Sequence, residues 1–345
     1  MHASRLGLLI LLVGLLAACR PAPLYHQEAF VFGTRVEVLI AGLPETAARP
    51  AAAAVLREFD RLHRSYHAWQ PSELSELNAA LAAGRPQVVT AEMAALLADA
   101  QRLALASEQL FDPGIGRLVS LWGFHADELP ALLPDAGAIA AWRAARPSIA
   151  DLQVDGFSVA SRKRDVALDF GGYLKGVALD RAAAILKAQG VNNALLNIGG
   201  NVMALGSRNG QPWRVGIQHP RQPGPLATLE LDDGEAIGTS GDYQRYFEVD
   251  GRRYCHVLDP RSAWPVAHTQ ALSVLITPRA AAGTLSDVAS KPLFIAGGDW
   301  PRLARRLQVE HVLRVDEQGH LQVSNAMQRR LTYVGAQPAA LEIVP

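Results

Sequence analysis

The 345-residue chain has two cysteines, 6% aromatic residues and no net formal charge, and each shortage closes off a class of protein. With Cys19 inside a processing signal and Cys255 the only other thiol, no intramolecular disulfide can staple the fold. Stability must come from a buried core, which a chain with 49% hydrophobic residues can build. Thirty-three basic residues against thirty-three acidic ones leave no excess of positive charge for a nucleic-acid partner. Long apolar runs are scarce as well. The stretch Leu6 to Leu16 falls short of the roughly 20 residues that span a bilayer, and no later segment qualifies. There is no internal repeat of fixed period.

What is present starts with an address. Arg5 supplies a basic flank, Leu6 to Leu16 an apolar stretch, and Leu16-Ala17-Ala18-Cys19 a small-residue cleavage site ending in cysteine, the pattern of a lipobox. The expected organisation is a signal peptide over 1–18, a tether over 19–28 and a single two-lobed unit over 29–345. Acylation of Cys19 would hold the mature protein to a membrane surface through chains that gain ~0.8 kcal/mol per buried methylene.

Hydrophobic periodicity predicts a strand from Phe30 to Ile40 and a helix from Glu45 to about Tyr66 with Val55, Leu56, Phe59 and Leu62 on one stripe. A helix capped by Thr90 runs to about Glu108, another covers Asp135 to Ala145, and a further one follows Gly171-Gly172 and stops at Gly190. Strands are expected at Gln153–Ala160, Asp165–Asp169, Asn193–Ile198, Asn201–Leu205, Trp213–Gln218, Ala227–Leu231, Tyr243–Val249, Tyr254–Leu258 and Ala271–Thr277, with an Asp250-Gly251 hairpin turn. A helix near Ala281–Ala296 contains Pro292 and is expected to kink there. Strands at the centre and helices at the flanks make the fold class α+β.

Several segments carry groups suited to phosphate chemistry. Gly238-Thr239-Ser240-Gly241-Asp242-Tyr243 reads as a ligand-approaching loop of small and hydroxyl residues, followed by His256-Val257-Leu258-Asp259-Pro260-Arg261. Lys175 lies six residues after Asp169 across a double glycine, so a strand end and a helix start can present a carboxylate, bare backbone and an ammonium together. The spacing is not that of a Walker motif. An unperturbed imidazole titrates near ~6.5 and suits acid/base work, and His256 is the candidate. The other histidines form no defensible metal-ligand pairing.

The order of these segments resembles the ApbE family of FAD:protein FMN transferases: Phe111-Asp112-Pro113-Gly114-Ile115-Gly116, Leu168-Asp169-Phe170-Gly171-Gly172-Tyr173-Leu174-Lys175-Gly176, Asn197-Ile198-Gly199-Gly200-Asn201, Thr239-Ser240-Gly241-Asp242-Tyr243 and His256 to Arg261. The resemblance implies a T-fold-like core of mixed β-sheet with flanking helices and a smaller second lobe. It places Phe32, Trp69, Leu110, Phe111, Asp112, Asp169, Lys175, Thr239, Ser240, Asp242 and Leu258 against FAD and gives His256 the catalytic position. It also implies a Mg²⁺ site from the Gly172 carbonyl, Asp287 and the residue four positions on.

Here the chain departs from the pattern. The family's threonine ligand is replaced by Lys291, and an ammonium donates hydrogen bonds but cannot ligate. Ser290 or Thr284 could supply a replacement hydroxyl. The activity implied is transfer of FMN from FAD to a Thr or Ser hydroxyl on the FMN-binding domain of an envelope protein, with AMP released. Hydrolysis of FAD to FMN and AMP, or flavin binding without catalysis, are the alternatives. The implied location is the periplasmic face of a bacterial inner or outer membrane.

Overall fold

The structure, a computed structural model, describes residues 23–129, 131–335 and 340–345; the expected signal peptide and Cys19 lie outside these. A nine-stranded sheet runs in simple sequence order: β1 (Leu24–Val31), β2 (Thr34–Ala41), β3 (Ala194–Ile198), β4 (Asn201–Leu205), β5 (Ala236–Gly241), β6 (Thr269–Ile276), β7 (His311–Asp316), β8 (Leu321–Ser324) and β9 (Leu341–Val344). Neighbours are antiparallel except β8 and β9, which makes the sheet mixed. The expected tether is a strand from Leu24 onward. A two-residue turn with left-handed Phe32 (φ 57°) and Gly33 (φ 69°) folds β1 onto β2.

One face of the sheet is covered by three helices, α1 (Glu45–Ser65), α2 (Leu174–Ala188) and α3 (Ala282–Ala296). Val55, Phe59 and Leu62 of α1 are buried with Val36, Val38 and Ile40 of β2, as the helical stripe and the strand alternation require. The opposite face is covered by a small sheet of Trp213–Gln218, Pro225–Leu231 and Thr332–Tyr333. Covered on both faces, β6 is buried at every position.

The second lobe has its own aromatic core. Trp122 stacks on Tyr254 with ring centres 5.7 Å apart, Phe247 on Tyr254 at 5.5 Å, and Trp264 meets Trp122 edge-on at 5.0 Å. The hairpin Tyr246–Val249/Arg252–Cys255 turns at Asp250 (φ 50°) and Gly251 (φ 72°), where the Asp-Gly pair predicts it. The expected strand Asp165–Asp169 is instead irregular, with an isolated parallel bridge between Ala167 and Ile115 that belongs to no sheet. A helix at Glu73–Ala82, capped reciprocally by Ser72 and Ser75, was not foreseen.

The helix α3 decides the site. Twelve of its fifteen residues are buried, and it continues through Pro292 as one element. Its buried polar groups are all engaged. Thr284 donates to Asp180 at 2.6 Å, Ser286 to the Gly283 carbonyl at 2.8 Å, and Ser290 to the Asp287 carbonyl at 2.9 Å with Ser240 Oγ at 2.8 Å. Glycine lets α3 sit this deep. A Cβ at Gly238 of β5 would lie 2.2 Å from the Ser286 carbonyl oxygen, and one at Gly176 of α2 would lie 2.6 Å from the Gly283 oxygen.

Candidate active site

Where α2 begins, three parts of the chain meet around Asp287. Its carboxylate is fully buried, with Oδ2 accepting from the Gly176 amide at 2.9 Å and Oδ1 from Asn201 Nδ2 at 2.9 Å. The Lys291 ammonium donates to the same Oδ1 and, at 2.7 Å, to the Asp287 carbonyl oxygen. The methylenes of Lys291 lie across Gly172, since a Cβ added there would sit 3.1 Å from Lys291 Cε. Burial pushes the Lys291 ammonium down, Asp287 holds it up, and Lys175 adds to the depression.

This arrangement does not fit a divalent ion bound by Asp287. Both oxygens already accept hydrogen bonds, one from a cationic side chain, and the space between Asp287 and Gly172 is filled by Lys291. In this arrangement Lys291 occupies the place between Gly172 and Asp287 where Mg²⁺ is expected. Lys291 is a donor, and the substitutes considered for the missing threonine, Thr284 and Ser290, are engaged elsewhere.

His256 approaches from the second lobe. Its backbone amide and its Nδ1 both donate to the Arg245 carbonyl, at 3.0 and 3.1 Å, which fixes the neutral tautomer with Nε2 carrying a lone pair. Burial, then the nearby Lys175, push the imidazole down to about 4, with Lys291 and Arg245 adding to the effect. A neutral, oriented base at physiological pH is the result. Lys175, the second residue of α2, has no carboxylate partner among the described residues.

Asp169 completes the rim. Its oxygen accepts from the Gly171 amide at 2.7 Å; loss of solvent raises its carboxyl, against the pull of that amide, Trp69, His67 and Arg245. Trp69 is 37% exposed with its ring 5.3 Å from that of His125, free to present a face to a planar ligand. Phe32 packs against Phe59 and His63 at the β1–β2 turn.

Other expected contacts are engaged in structure. Asp112 is buried, with Oδ1 accepting from Gly114 and Ile149 amides at 2.7 and 2.9 Å, and burial raises its carboxyl. It shapes the loop that carries Leu110 and Phe111, both buried in the main core, with Phe111 reaching toward Gly172. The segment read as a loop at Thr239–Asp242 is the end of the central strand β5 and the residue after it. Thr239 Oγ1 pairs with Ser273 Oγ at 2.7 Å, Ser240 with Ser290, and Asp242 with Arg221 at 2.7 and 2.5 Å. Leu258 is buried in the core of the second lobe.

Two residues stand out that were not singled out from the sequence. Asn201 holds Asp287 with its amide nitrogen, while its Oδ1 accepts from the Thr239 amide at 3.4 Å. Arg245 supplies the carbonyl that orients His256 and carries a buried Nε without a partner among the described residues. Asn201 closes the quoted Gly-Gly-Asn motif and Arg245 lies two residues after the quoted Gly-Asp-Tyr segment, which is the available signal. A cleft of about 810 Å³ beside Trp300 is lined by none of these site residues.

The chain is similar to known proteins over most of its length. The model of the ApbE family matches residues 32–313. A "FAD:protein FMN transferase" of Rhodobacter capsulatus is 42% identical over 338 residues, 97% of this chain, which spans 64% of that protein's own length. A protein of the same description from Klebsiella pneumoniae is 32% identical over 81% of this chain and 82% of its own. Among solved structures, the ApbE protein of Thermotoga maritima superposes with a TM-score of 0.81 at 29% identity, covering 89% of this chain and 99% of that one. The flavin transferase ApbE of Vibrio cholerae gives 0.77 at 26% identity over 90% and 100%.

Proposed function

The chain belongs to the ApbE family, and from that premise we propose that it transfers the FMN moiety of FAD to a Thr or Ser hydroxyl of an acceptor flavoprotein, releasing AMP. The observation that carries the reading is an imidazole held in orientation by the Arg245 carbonyl, with Lys175 and Lys291 near enough to lower its proton affinity.

In this reading FAD lies with its diphosphate over the start of α2 and a planar ring against Trp69. The Lys175 amide, unpaired among the described residues at the start of α2, and two lysines suit the diphosphate's negative charge. His256 Nε2 accepts the proton of the acceptor hydroxyl, whose oxygen attacks the FMN-side phosphorus. The bond from that phosphorus to the bridging oxygen breaks, and the electron pair leaves with AMP. Lys175 and Lys291 stabilise the charge that builds on the phosphoryl oxygens and on the leaving group. The flavin changes no redox state, and no step runs through a divalent ion at Asp287.

Diphosphate binding also tunes the base. The two lysines that depress His256 become neutralised by the ligand's charge, so its proton affinity rises when FAD is present. The base is held neutral in the free protein and strengthened in the complex.

The acceptor is proposed to be the FMN-binding domain of an envelope electron-transfer protein, and the chain itself a lipoprotein anchored at Cys19 on the periplasmic face of a bacterial membrane. The lipobox supports the anchor. Among the described residues no helix is long and apolar enough to cross a membrane.

Mass spectrometry of an acceptor domain incubated with the protein and FAD tests the reading. A Thr or Ser carrying FMN is expected, with FMN alone giving no product because it lacks the AMP leaving group. AMP formed at full rate without any acceptor would make the protein a FAD hydrolase instead.

A further inference from the structure

The Asp287–Lys291 pair supports a statement about this chain's charge chemistry that goes deeper than the transfer reading, on which it rests. Asp287 is completely buried, and a buried carboxylate needs a cation or several donors to remain ionised. It has both. Gly176 and Asn201 each donate at 2.9 Å, and Lys291 supplies the charge.

Lys291 could have turned outward at this position. Its aliphatic stem instead lies over Gly172, which has no Cβ to block it, and its Nζ is tied to the carboxylate and to the carbonyl oxygen of the same aspartate. Two of the three ammonium protons are thereby committed. The third has no partner among the described residues, and 19% of the side chain remains accessible. The charge acts on the site beyond the pair itself, because Lys291 contributes to the depression of His256 together with Lys175.

We propose that Lys291 is the built-in cation of this site, standing between Asp287 and Gly172 where a divalent ion would have to sit, so that flavin diphosphate binding requires no divalent metal at Asp287. The exchange has a consequence in charge. A carboxylate with a divalent ion leaves one positive charge over, whereas the same carboxylate with an ammonium leaves none. Attraction for the diphosphate then falls to Lys175, to the third proton of Lys291 and to the Lys175 amide, the one amide in the first turn of α2 without a partner among the described residues. The three contributors are fixed by the chain and cannot be removed by a chelator.

The test uses Mn²⁺ as the probe, followed by electron paramagnetic resonance with and without FAD, in the wild type, Asp287→Asn and Lys291→Thr. The wild type is expected to show no Mn²⁺ site that Asp287→Asn removes, and its FAD affinity is expected to be the same in chelator as in Mg²⁺. Lys291→Thr, which opens the space, should acquire a Mn²⁺ site and a FAD affinity that rises about tenfold with Mg²⁺, an ordinary size for coupling between two ligands.

Mn²⁺ bound to the wild type and lost in Asp287→Asn overturns the proposal. Mn²⁺ that persists in Asp287→Asn belongs elsewhere and leaves it supported. Should Lys291→Thr fail to fold, the wild-type comparison with Asp287→Asn still decides. If FAD binds under no condition, the transfer reading fails while the Mn²⁺ measurement on the protein alone still judges Lys291.

Discussion

Replacing Gly176 with alanine sets two opposing effects against each other at the contact between α2 and α3. An added Cβ would lie 2.6 Å from the Gly283 carbonyl oxygen, 2.6 Å from Thr284 Cα and 2.8 Å from Asp287 Cβ. The first two are backbone atoms, so no side-chain rotation relieves them and α3 must move as a body. Alanine gains up to ~1 kcal/mol over glycine in a helix. Overpacking a closed core costs ~1–3 kcal/mol, and contacts this short belong at the upper end. The net expectation is a loss of ~1–2 kcal/mol. Moving α3 also lengthens the 2.9 Å bond from the Gly176 amide to Asp287, so FAD affinity should fall with stability. Urea unfolding followed by circular dichroism reads the first effect as a lower midpoint at unchanged slope, and flavin fluorescence reads the second. A variant as stable as the wild type, or more stable, would refute the close packing of α2 on α3.

Other expectations follow from the same site. His256 is held near 4 in the folded protein against an ordinary 6.5, so as pH falls through this window the unfolded chain takes up a proton that the folded one refuses. Stability should therefore drop between these pH values by at most ~3 kcal/mol, and His256→Asn should remove that part of the decline in urea midpoints. Asn201→Ala leaves Asp287 one donor short and should cost ~1–3 kcal/mol of stability by the same assay. Lys291→Met strands a buried carboxylate and should cost ~3 kcal/mol, partly recovered in the double variant with Asp287→Asn. Trp69→Ala should leave the unfolding midpoint in place, because the ring is 37% exposed, while weakening FAD binding by about 1–3 kcal/mol if a ring stacks there.

What could be read from sequence was what neighbours in sequence determine. The stripe of Val55, Phe59 and Leu62, the Thr90 cap and the Asp250-Gly251 turn depend on local spacing and backbone preference, and all three stand in the structure. Gly238-Thr239-Ser240-Gly241 has a loop's composition yet forms the strand β5. Its reason is tertiary, since small residues there let α3 lie against the sheet. Residues 24–28 carry no strand signal of their own, because their extended form depends on β2 as a partner. In the site, His256 and Lys175 were legible from their motifs, but the direction of Lys291 was not. That direction depends on Gly172, more than a hundred residues earlier, leaving room for the lysine stem. The engagement of Asp242 by Arg221 and of Asp112 by the 148–149 turn are likewise contacts between distant segments.

The transfer chemistry is tested most directly by counting its two products in one reaction. Protein, FAD and an acceptor domain are incubated, AMP is quantified by chromatography, and covalent flavin is quantified by fluorescence of the denatured acceptor. The account predicts one AMP for each flavin bound, with both lost together in His256→Asn. AMP accumulating well beyond bound flavin, or covalent flavin formed undiminished by His256→Asn, would contradict it.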